Sequence, residues 1–197
     1  MKITKLSEIK KAYFGYEEIA KALSISPASA RVSAVRYVKQ GFLVRIKRNL
    51  YVLKGRWEAM GAEERFELAN IMQVPSYVSF MSALEYHGIT TQVQRSFVES
   101  AALKRTKETD IGGVVFRFTR IKKELYFGFR REKGFFIASP EKAFIDALYL
   151  MSYGRYSLDM PSLDINKLDK DALRDIVKKF PIKTRRLAEK YGRIKTA

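Results

Sequence analysis

Small polar and basic residues recur at helical spacing just after Ser26-Pro27. Ser29, Val32, Ser33 and Arg36 lie at positions i, i+3, i+4 and i+7, which places them on one face of a helix. Arginine can donate two parallel hydrogen bonds to guanine, serine can bond to a base or a phosphate, and valine can contact a thymine methyl group. This face therefore has the chemistry that reads base edges in a DNA groove.

A second basic group follows in a segment with a period of two. Val44 and Ile46 alternate with cations, which predicts a strand with one exposed basic face. Arg48-Asn49 is the expected hairpin turn because asparagine tolerates positive φ, and cations there would contact phosphates and set register more than sequence. The predicted DNA-binding residues of helix and hairpin are Ser29, Arg31, Val32, Ser33, Arg36, Lys39, Arg45, Lys47 and Arg48.

Two helices and this hairpin must position those side chains. Apolar residues with amphipathic helical spacing form the first helix, namely Tyr16, Ile19, Ala20 and Leu23. Ser26 suits the N-cap of the second helix, Pro27 its first turn and Gly41 its end. The predicted inner face of that helix comprises Ala30, Ala34, Tyr37 and Val38. Helix, turn, helix and basic hairpin, in this order, are typical of a winged helix-turn-helix, which places its second helix in a DNA groove.

The distribution of charge agrees with a DNA-binding module near the N-terminus. The chain has 197 residues and a formal net charge of +17. Residues 1–55 carry 12 Lys and Arg against three acidic residues, and residues 178–197 carry eight against one, whereas the middle carries 18 against 17. Such a basic balance predicts a polyanionic partner, which is DNA, RNA or an anionic membrane surface. Heat adaptation alone predicts balanced charge throughout, and only the middle segment has it.

The remainder of the chain predicts a larger domain of mixed structure. Four strand-like runs indicate an antiparallel sheet, at residues 96–100, 114–121, 124–130 and 135–138. The C-terminus is predicted to be helical and to end in a basic amphipathic helix within residues 178–197, for which a second phosphate contact and a partner-docking role both stay open. The predicted fold class is α+β, with a winged helix-turn-helix at residues 1–55 and a mixed α+β domain at residues 56–197.

Composition excludes several chemistries. The chain lacks cysteine, so disulfides and thiolate metal sites are excluded. No apolar run approaches the roughly 20 residues that cross a bilayer, and residues 1–5 lead into an amphipathic helix predicted over residues 6–14 rather than a signal segment. No residues have metal-ligand spacing, and no glycine loop has the pattern of a phosphate site. We therefore predict a soluble cytoplasmic protein with no metal, no cofactor, no membrane contact and no catalytic residue.

Three charged residues keep an enzyme open as an alternative. Lys142 and Asp146 are i, i+4 neighbours, so an ion pair on a helix surface accounts for them, and the charge of Glu141 in the first turn complements the helix dipole. The alternative is an acid–base role for this trio in an enzyme that modifies a partner. The single histidine, His87, ends a predicted helix, where we expect it to bond to carbonyl groups.

Three segments together resemble one known family. The segment YVSFMSALEYHGI at residues 77–89 resembles the SxxSALxxHG segment of the abortive-infection AbiEi antitoxin family. The segment IASPEKAFIDAL at residues 137–148 resembles that family's A-(S/T)-P-E-K-A-x-x-D segment, and RNLYV at residues 48–52 is similar to its RRGLYV wing. Asn49 replaces the usual glycine, and asparagine also adopts the left-handed conformation. The matches span most of the chain from Tyr16 to about Met151, in the family's order and spacing.

The resemblance implies an antitoxin of a bicistronic toxin–antitoxin system. Its winged helix would repress its own operon by binding inverted repeats in double-stranded DNA, and its second domain would counter a nucleotidyltransferase-like toxin. Direct contact with that toxin stays open, as does a stand-alone regulator. An RNA-associated basic protein is a further alternative, because the aromatic run at residues 126–129 with Phe135-Phe136 is similar to an RNA-binding platform, although its spacing favours a half-buried strand pair.

Overall fold

The computed structural model describes residues 4–195, and the fold within that range is α+β. The chain divides into two compact units, residues 1–61 and 62–197. The sequence placed a boundary at residue 55, whereas a short helix, α3 (Lys54–Glu58), packs against the hairpin and belongs to the first unit. Residues 1–3 and 196–197 lie outside the described residues, and the latter are the end of the basic C-terminal helix predicted within residues 178–197.

The first unit contains the predicted pair of helices and the predicted hairpin. Helix α1 spans Tyr16–Leu23 and α2 spans Pro27–Lys39, and they are followed by strands β1 (Leu43–Lys47) and β2 (Leu50–Leu53). A helix predicted over residues 6–14 is wrong. That segment has a 3₁₀ turn at Thr4–Leu6, and Phe14 pairs with Tyr51 of β2 through two backbone hydrogen bonds of 2.9 and 2.8 Å.

The core of this unit explains why the helices cross closely. Ala30 and Ala34 of α2 are fully buried, and their small side chains let α2 approach α1. The apolar side of α1 contributes Ile19 and Leu23 as its periodicity predicts. The whole cluster consists of Leu6, Phe14, Ile19, Leu23, Ala30, Ala34, Tyr37, Leu43 and Tyr51.

The second unit is built on a six-stranded sheet. Its strands are β3 (Ser76–Val78), β4 (Phe97–Ala102), β5 (Lys107–Ile111), β6 (Val114–Arg120), β7 (Phe129–Glu132) and β8 (Phe135–Ala138). Their order is β5-β6-β4-β3-β8-β7. The predicted antiparallel sheet is corrected to a mixed one, since β4 pairs with β6 and β3 with β8 in parallel. The strand predicted over residues 124–130 is largely a 3₁₀ turn at Lys123–Leu125 and a loop.

Helices pack around this sheet. They are α4 (Ala62–Met72), α5 (Phe80–Tyr86), α6 (Pro140–Met151), α7 (Lys170–Val177) and α8 (Ile182–Gly192), with 3₁₀ turns at Met160–Ser162 and Ile165–Lys167. Helix α6 contacts α5, α7 and α8 and is buried along most of its length. Within residues 4–195, no helix combines the length and apolar composition needed to cross a membrane.

Candidate nucleic-acid interface

Helix α2 begins and ends where its local sequence dictates. The Ser26 hydroxyl accepts a hydrogen bond from the Ser29 backbone N–H at 3.2 Å, and Pro27 occupies the first turn. This is the N-cap arrangement that satisfies otherwise unpaired amide groups. Gly41 follows the helix with φ of 76°, as a glycine after a helix end does. The Ser26 hydroxyl also donates to the Ser29 hydroxyl at 3.0 Å, so part of the hydrogen-bonding capacity of Ser29 is used within the cap.

The outward face of α2 is apolar at its centre and cationic at its edges. Val32 is 71% exposed and Val35 47% exposed, whereas Ala30 and Ala34 on the opposite side are fully buried. Arg31, Val32, Val35, Arg36 and Lys39 line one shallow hollow. This exposed set, which we call the α2 face, has the valines at its floor and the cations around them.

The α2 face is rotated slightly from the predicted one. Ser29, Val32 and Arg36 are exposed as expected, but Ser33 is half-buried, and Val35 was missed. Val35 follows Val32 by three residues, so the helical spacing alone contained the signal for it. The predicted flanking cations Arg31 and Lys39 are exposed and line the hollow.

Both arginines of the α2 face rest on aromatic rings. The guanidinium carbon of Arg31 lies 5.3 Å from the centre of the Tyr16 ring, and that of Arg36 lies 5.3 Å from the centre of the Tyr37 ring. Cation–π contacts of this kind orient a guanidinium while leaving its N–H donors available. No carboxylate within residues 4–195 forms an ion pair with Arg31, Arg36 or Lys39, so their positive charge is not locally neutralised.

The hairpin carries the other three predicted cations. Arg45, Lys47 and Arg48 are all exposed, and Lys47 pairs with Leu50 around the two-residue turn of Arg48 and Asn49. Asn49 has φ of 56°, as the turn prediction requires. The register shifts between Arg45 and Lys47, which marks a bulge. Bulges re-aim the side chains beside them, here in a strand that packs against α2.

Asn49 also fixes the hairpin to the first helix. Its side-chain oxygen accepts a hydrogen bond from the Tyr16 backbone N–H at 2.7 Å, at the start of α1. A Cβ atom added to Gly15 would lie 2.9 Å from that oxygen, so the close approach requires glycine. Nearby, the Tyr51 hydroxyl donates to that of Tyr16 at 3.0 Å, and burial with this bond raises the pKa of Tyr51 to about 12. The turn therefore has a defined position relative to α1.

The Lys142–Asp146 pair is deeply buried, which corrects the predicted surface ion pair. Lys142 is 0% exposed and Asp146 1%. The Lys142 ammonium contacts Asp146 and donates to the Tyr77 hydroxyl at 2.8 Å, while the Tyr77 and Ser79 hydroxyls each donate to Asp146 at 2.8 Å. Burial lowers the pKa of Lys142, an effect that Asp146 opposes, and raises the pKa of Tyr77. Each charged atom is occupied by a protein partner, so this network has the character of a structural element.

Glu141 and His87 also have structural partners. The Glu141 carboxylate, in the first turn of α6 as predicted, accepts a hydrogen bond from the Asp169 backbone N–H at 3.2 Å, just before α7. His87 caps the end of α5, and its Nε2 atom lies 2.9 Å from the Ala138 carbonyl oxygen of β8. Across residues 4–195, no group of three or more His, Asp or Glu side chains is arranged to hold a metal ion.

The rings of the aromatic run at residues 126–129 are half-buried within the second unit. The Phe129 ring stacks on the Tyr77 ring at 4.6 Å between centroids, and the Tyr126 ring lies 5.2 Å from Tyr77. The rings of Phe127 and Phe180 lie 5.2 and 5.3 Å from the Lys142 ammonium. A base-stacking platform needs exposed ring faces, and in this run the faces are partly covered by the side chains around the buried ion pair.

The basic C-terminal segment is partly engaged within its own unit. Lys178 pairs with Asp175 at 2.8 Å, Lys179 lies over the Phe127 ring at 4.2 Å, and Arg185 donates to two backbone carbonyls. Thr184 and Ala188 bury one side of α8. Its remaining cations are exposed on the outer side, where either a phosphate contact or a partner contact would use them.

Comparison with known proteins gives evidence on the fold. The chain matches no protein-family model and no curated protein. Among solved structures, it is similar to the crystal structure of the Rv2827c protein from Mycobacterium tuberculosis, with a TM-score of 0.62 and 11% sequence identity. The match covers 97% of this chain and 74% of that one. At this identity the likeness establishes a shared fold and carries no statement about activity.

Proposed function

We propose that the first unit is a winged helix-turn-helix that binds double-stranded DNA. In this proposal α2 is the recognition helix and the β1–β2 hairpin is the wing. The observation that carries the proposal is the α2 face, whose exposed valines and unneutralised arginines lie opposite a fully buried alanine side. A helix that packed only within its own unit would have no need of two exposed valines among cations.

The two groups of cations have different proposed roles. Arg36 and the valines of the α2 face would contact base edges, since they lie on the exposed side of the helix that enters the groove. Arg45, Lys47 and Arg48 would contact phosphates and set the register of the protein on the duplex. Ser29, Arg31, Ser33 and Lys39 would add contacts to bases or phosphates at the edges of the helix.

We further propose that the protein represses its own operon and acts as an antitoxin. This part rests on the resemblance to the AbiEi family carried by residues 48–52, 77–89 and 137–148. The partner would be a nucleotidyltransferase-like toxin, the operator would contain inverted repeats, and both proteins would act in the cytoplasm. Co-expression with the product of the adjacent gene tests it: rescued growth supports the antitoxin role, and unrescued growth beside confirmed expression contradicts it.

The half-buried packing of the aromatic run favours DNA over RNA. Sequence-tolerant single-strand binding depends on exposed ring faces, whereas Tyr126 and Phe129 pack on Tyr77 and Phe127 packs on Lys142. The exposed cations of the first unit lie on a helix and a hairpin, which are the elements that enter or flank a duplex groove.

Binding to the DNA upstream of its own operon is the direct test. We expect a gel shift or an anisotropy change that is stronger than on random duplex and weakens steeply with salt. The expected slope of log K against log salt is about −3 to −5 per protomer, because the helix and wing together neutralise a few phosphates. Equal binding to both duplexes, or no binding at low salt, contradicts the proposal.

Paired variants locate the contacts within that test. Arg45→Gln with Arg48→Gln should make the salt slope shallower by about two, one unit for each lost phosphate contact. Lys122→Gln with Lys123→Gln is the matched control, because these two adjacent lysines are exposed in the second unit. An equal loss of slope in both pairs would indicate diffuse electrostatic attraction in place of a defined wing.

The exposed valines predict recognition of thymine methyl groups. Replacing the operator thymines one at a time by uracil removes a methyl group without changing base pairing. At thymines contacted by Val32 or Val35 we expect a loss of about 0.8 kcal/mol for each methyl withdrawn from an apolar contact. Anisotropy titrations of both duplexes with wild type, Val32→Ala and Val35→Ala complete one double-mutant cycle for each valine. A thymine-to-uracil loss that persists unchanged in both Val→Ala variants would show that the valines do not read the methyl.

A further inference from the structure

A polar pocket in the second unit has a buried carboxylate at its floor. The pocket has a volume of about 500 Å³, within the range of small-molecule sites. It lies beside β4 and β6, and the segment after α6 forms its opposite wall. Glu99 of β4 lines it and is 3% exposed. A carboxylate this deeply buried needs compensating partners.

One oxygen of Glu99 has such partners. Its Oε2 atom accepts hydrogen bonds from the Tyr156 hydroxyl at 2.6 Å and from the Met81 backbone N–H at 3.2 Å. Its Oε1 atom has no hydrogen bond within the described part of the chain, and its nearest cation is Arg117, with Nη1 at 4.0 Å. Burial raises the pKa of Glu99 despite these partners. The pocket therefore contains a buried acceptor that a ligand can satisfy.

The cations of the pocket are arranged by depth. Arg117 is already held, with its Nε bonded to Glu108 at 2.7 Å and its guanidinium 4.7 Å from the centre of the Phe97 ring. Arg155 is exposed at the pocket, and within residues 4–195 its side chain makes no hydrogen bond or ion pair. The buried negative group is thus at the floor, and an uncommitted positive group is at the rim. A second carboxylate, Asp159, also lines the pocket and accepts a hydrogen bond from the Gln92 side chain at 2.8 Å.

We propose that this pocket binds a free α-amino acid. The ammonium group bonds to Glu99 Oε1, and the carboxylate bonds to Arg155. A single available oxygen suits a compact ammonium better than a guanidinium, which prefers two parallel acceptors. Met81 and Phe97 are the apolar part of a lining that is otherwise polar, so the pocket recognises the ammonium and carboxylate groups of the amino acid more than the class of its side chain. The pocket belongs to the second unit and the α2 face to the first, so this proposal does not rest on the proposed DNA binding.

Calorimetric titration of the full-length protein with each of the twenty L-amino acids at millimolar concentration tests the proposal. We expect saturable binding of at least one amino acid. The corresponding amine, which lacks the carboxylate, and the corresponding acid, which lacks the amino group, should each bind about tenfold more weakly or worse, because each loses one charge-assisted hydrogen bond. No saturable heat from any amino acid overturns the proposal, and so does equal binding of either analogue.

Two variants assign the ends of the ligand. Glu99→Gln and Arg155→Gln should each weaken binding of the best amino acid about tenfold or more. Glu124→Gln, an exposed carboxylate away from the pocket, should leave it unchanged. Arg155 is exposed, so its variant reports on binding even if Glu99→Gln fails to fold. Wild-type affinity in a folded Glu99→Gln or in Arg155→Gln overturns the assignment.

Discussion

Arg36 and Arg45 carry the same charge in two different settings. Arg36 lies on the α2 face against the Tyr37 ring, and Arg45 lies on the hairpin beside a bulge. We expect Arg36→Ala to reduce the preference for operator over random DNA by about 1–3 kcal/mol, because it removes a base contact. Arg45→Ala should weaken binding to both DNAs alike. Anisotropy titrations of each variant on both duplexes measure the difference. If Arg36→Ala weakens binding equally on both, its base-reading role is wrong.

Asp146 compensates a charge that has no access to water. Asp146→Ala leaves the Lys142 ammonium buried without its carboxylate, and we expect a loss of about 3–5 kcal/mol in the free energy of unfolding. Urea denaturation followed by circular dichroism measures it. The double variant Lys142→Met with Asp146→Leu is the control, since removing both charges should recover much of the loss. A small loss in Asp146→Ala would mean that Lys142 sheds its proton or reaches water.

Residue identity alone did not reveal that burial. An i, i+4 lysine–aspartate pair has the same spacing on a surface and in a core, and the deciding partners, Tyr77 of β3 and Ser79 just before α5, lie about 65 residues away in sequence. More of the α2 face than of the Lys142–Asp146 pair could be predicted from the sequence. Its alanine side and its arginines follow from periodicity, whereas the exchange of Ser33 for Val35 reflects a small rotation that only packing against α1 and β1 sets.

At the scale of elements, the connection between the turn of the β1–β2 hairpin and α1 depends on one side chain. Asn49→Ala removes the bond to the Tyr16 N–H and places an ordinary side chain at positive φ, and we expect it to cost about 2 kcal/mol. Asn49→Gly loses the same bond but suits the backbone, so its cost should be about 1 kcal/mol. Urea denaturation of both variants gives the comparison. Equal stability of the two would show that the backbone conformation contributes nothing at this turn.

Elements with local signals were predicted well from the sequence. Helices α2 and α6 both begin at a serine N-cap followed by proline, and each capping hydroxyl accepts the expected backbone hydrogen bond. Elements that form only by pairing with segments distant in sequence were not predicted. Strand β5 has the polar sequence KETDI and is formed by pairing with β6, and Phe14 is extended because it pairs with Tyr51. The parallel β4–β6 and β3–β8 pairings likewise have no local sequence signature.

At the scale of the whole molecule, the positive charge falls in both compact units. The first unit contains residues 1–55 with their net +9, and the second contains the basic C-terminal segment with its net +7. Salt dependence counts every cation that displaces a counterion, whichever unit carries it. The slope expected from α2 and the hairpin is about −3 to −5. A steeper measured slope would therefore indicate that the C-terminal segment also contacts phosphates. A slope within that range would favour a role for the C-terminal segment in binding a partner.

The hydrogen bond from Tyr16 to Asn49 has a consequence for which positions of the hairpin can be substituted. The position of the hairpin tip is fixed by the hydrogen bond between Asn49 and α1 and by the Phe14–Tyr51 pairing. Neither contact uses the side chain of Arg45 or Arg48. Those two positions are accordingly free to diverge or to be redesigned without refolding the loop. If the first unit binds DNA as proposed, the strength of binding could be adjusted one cation at a time while the hairpin keeps its position.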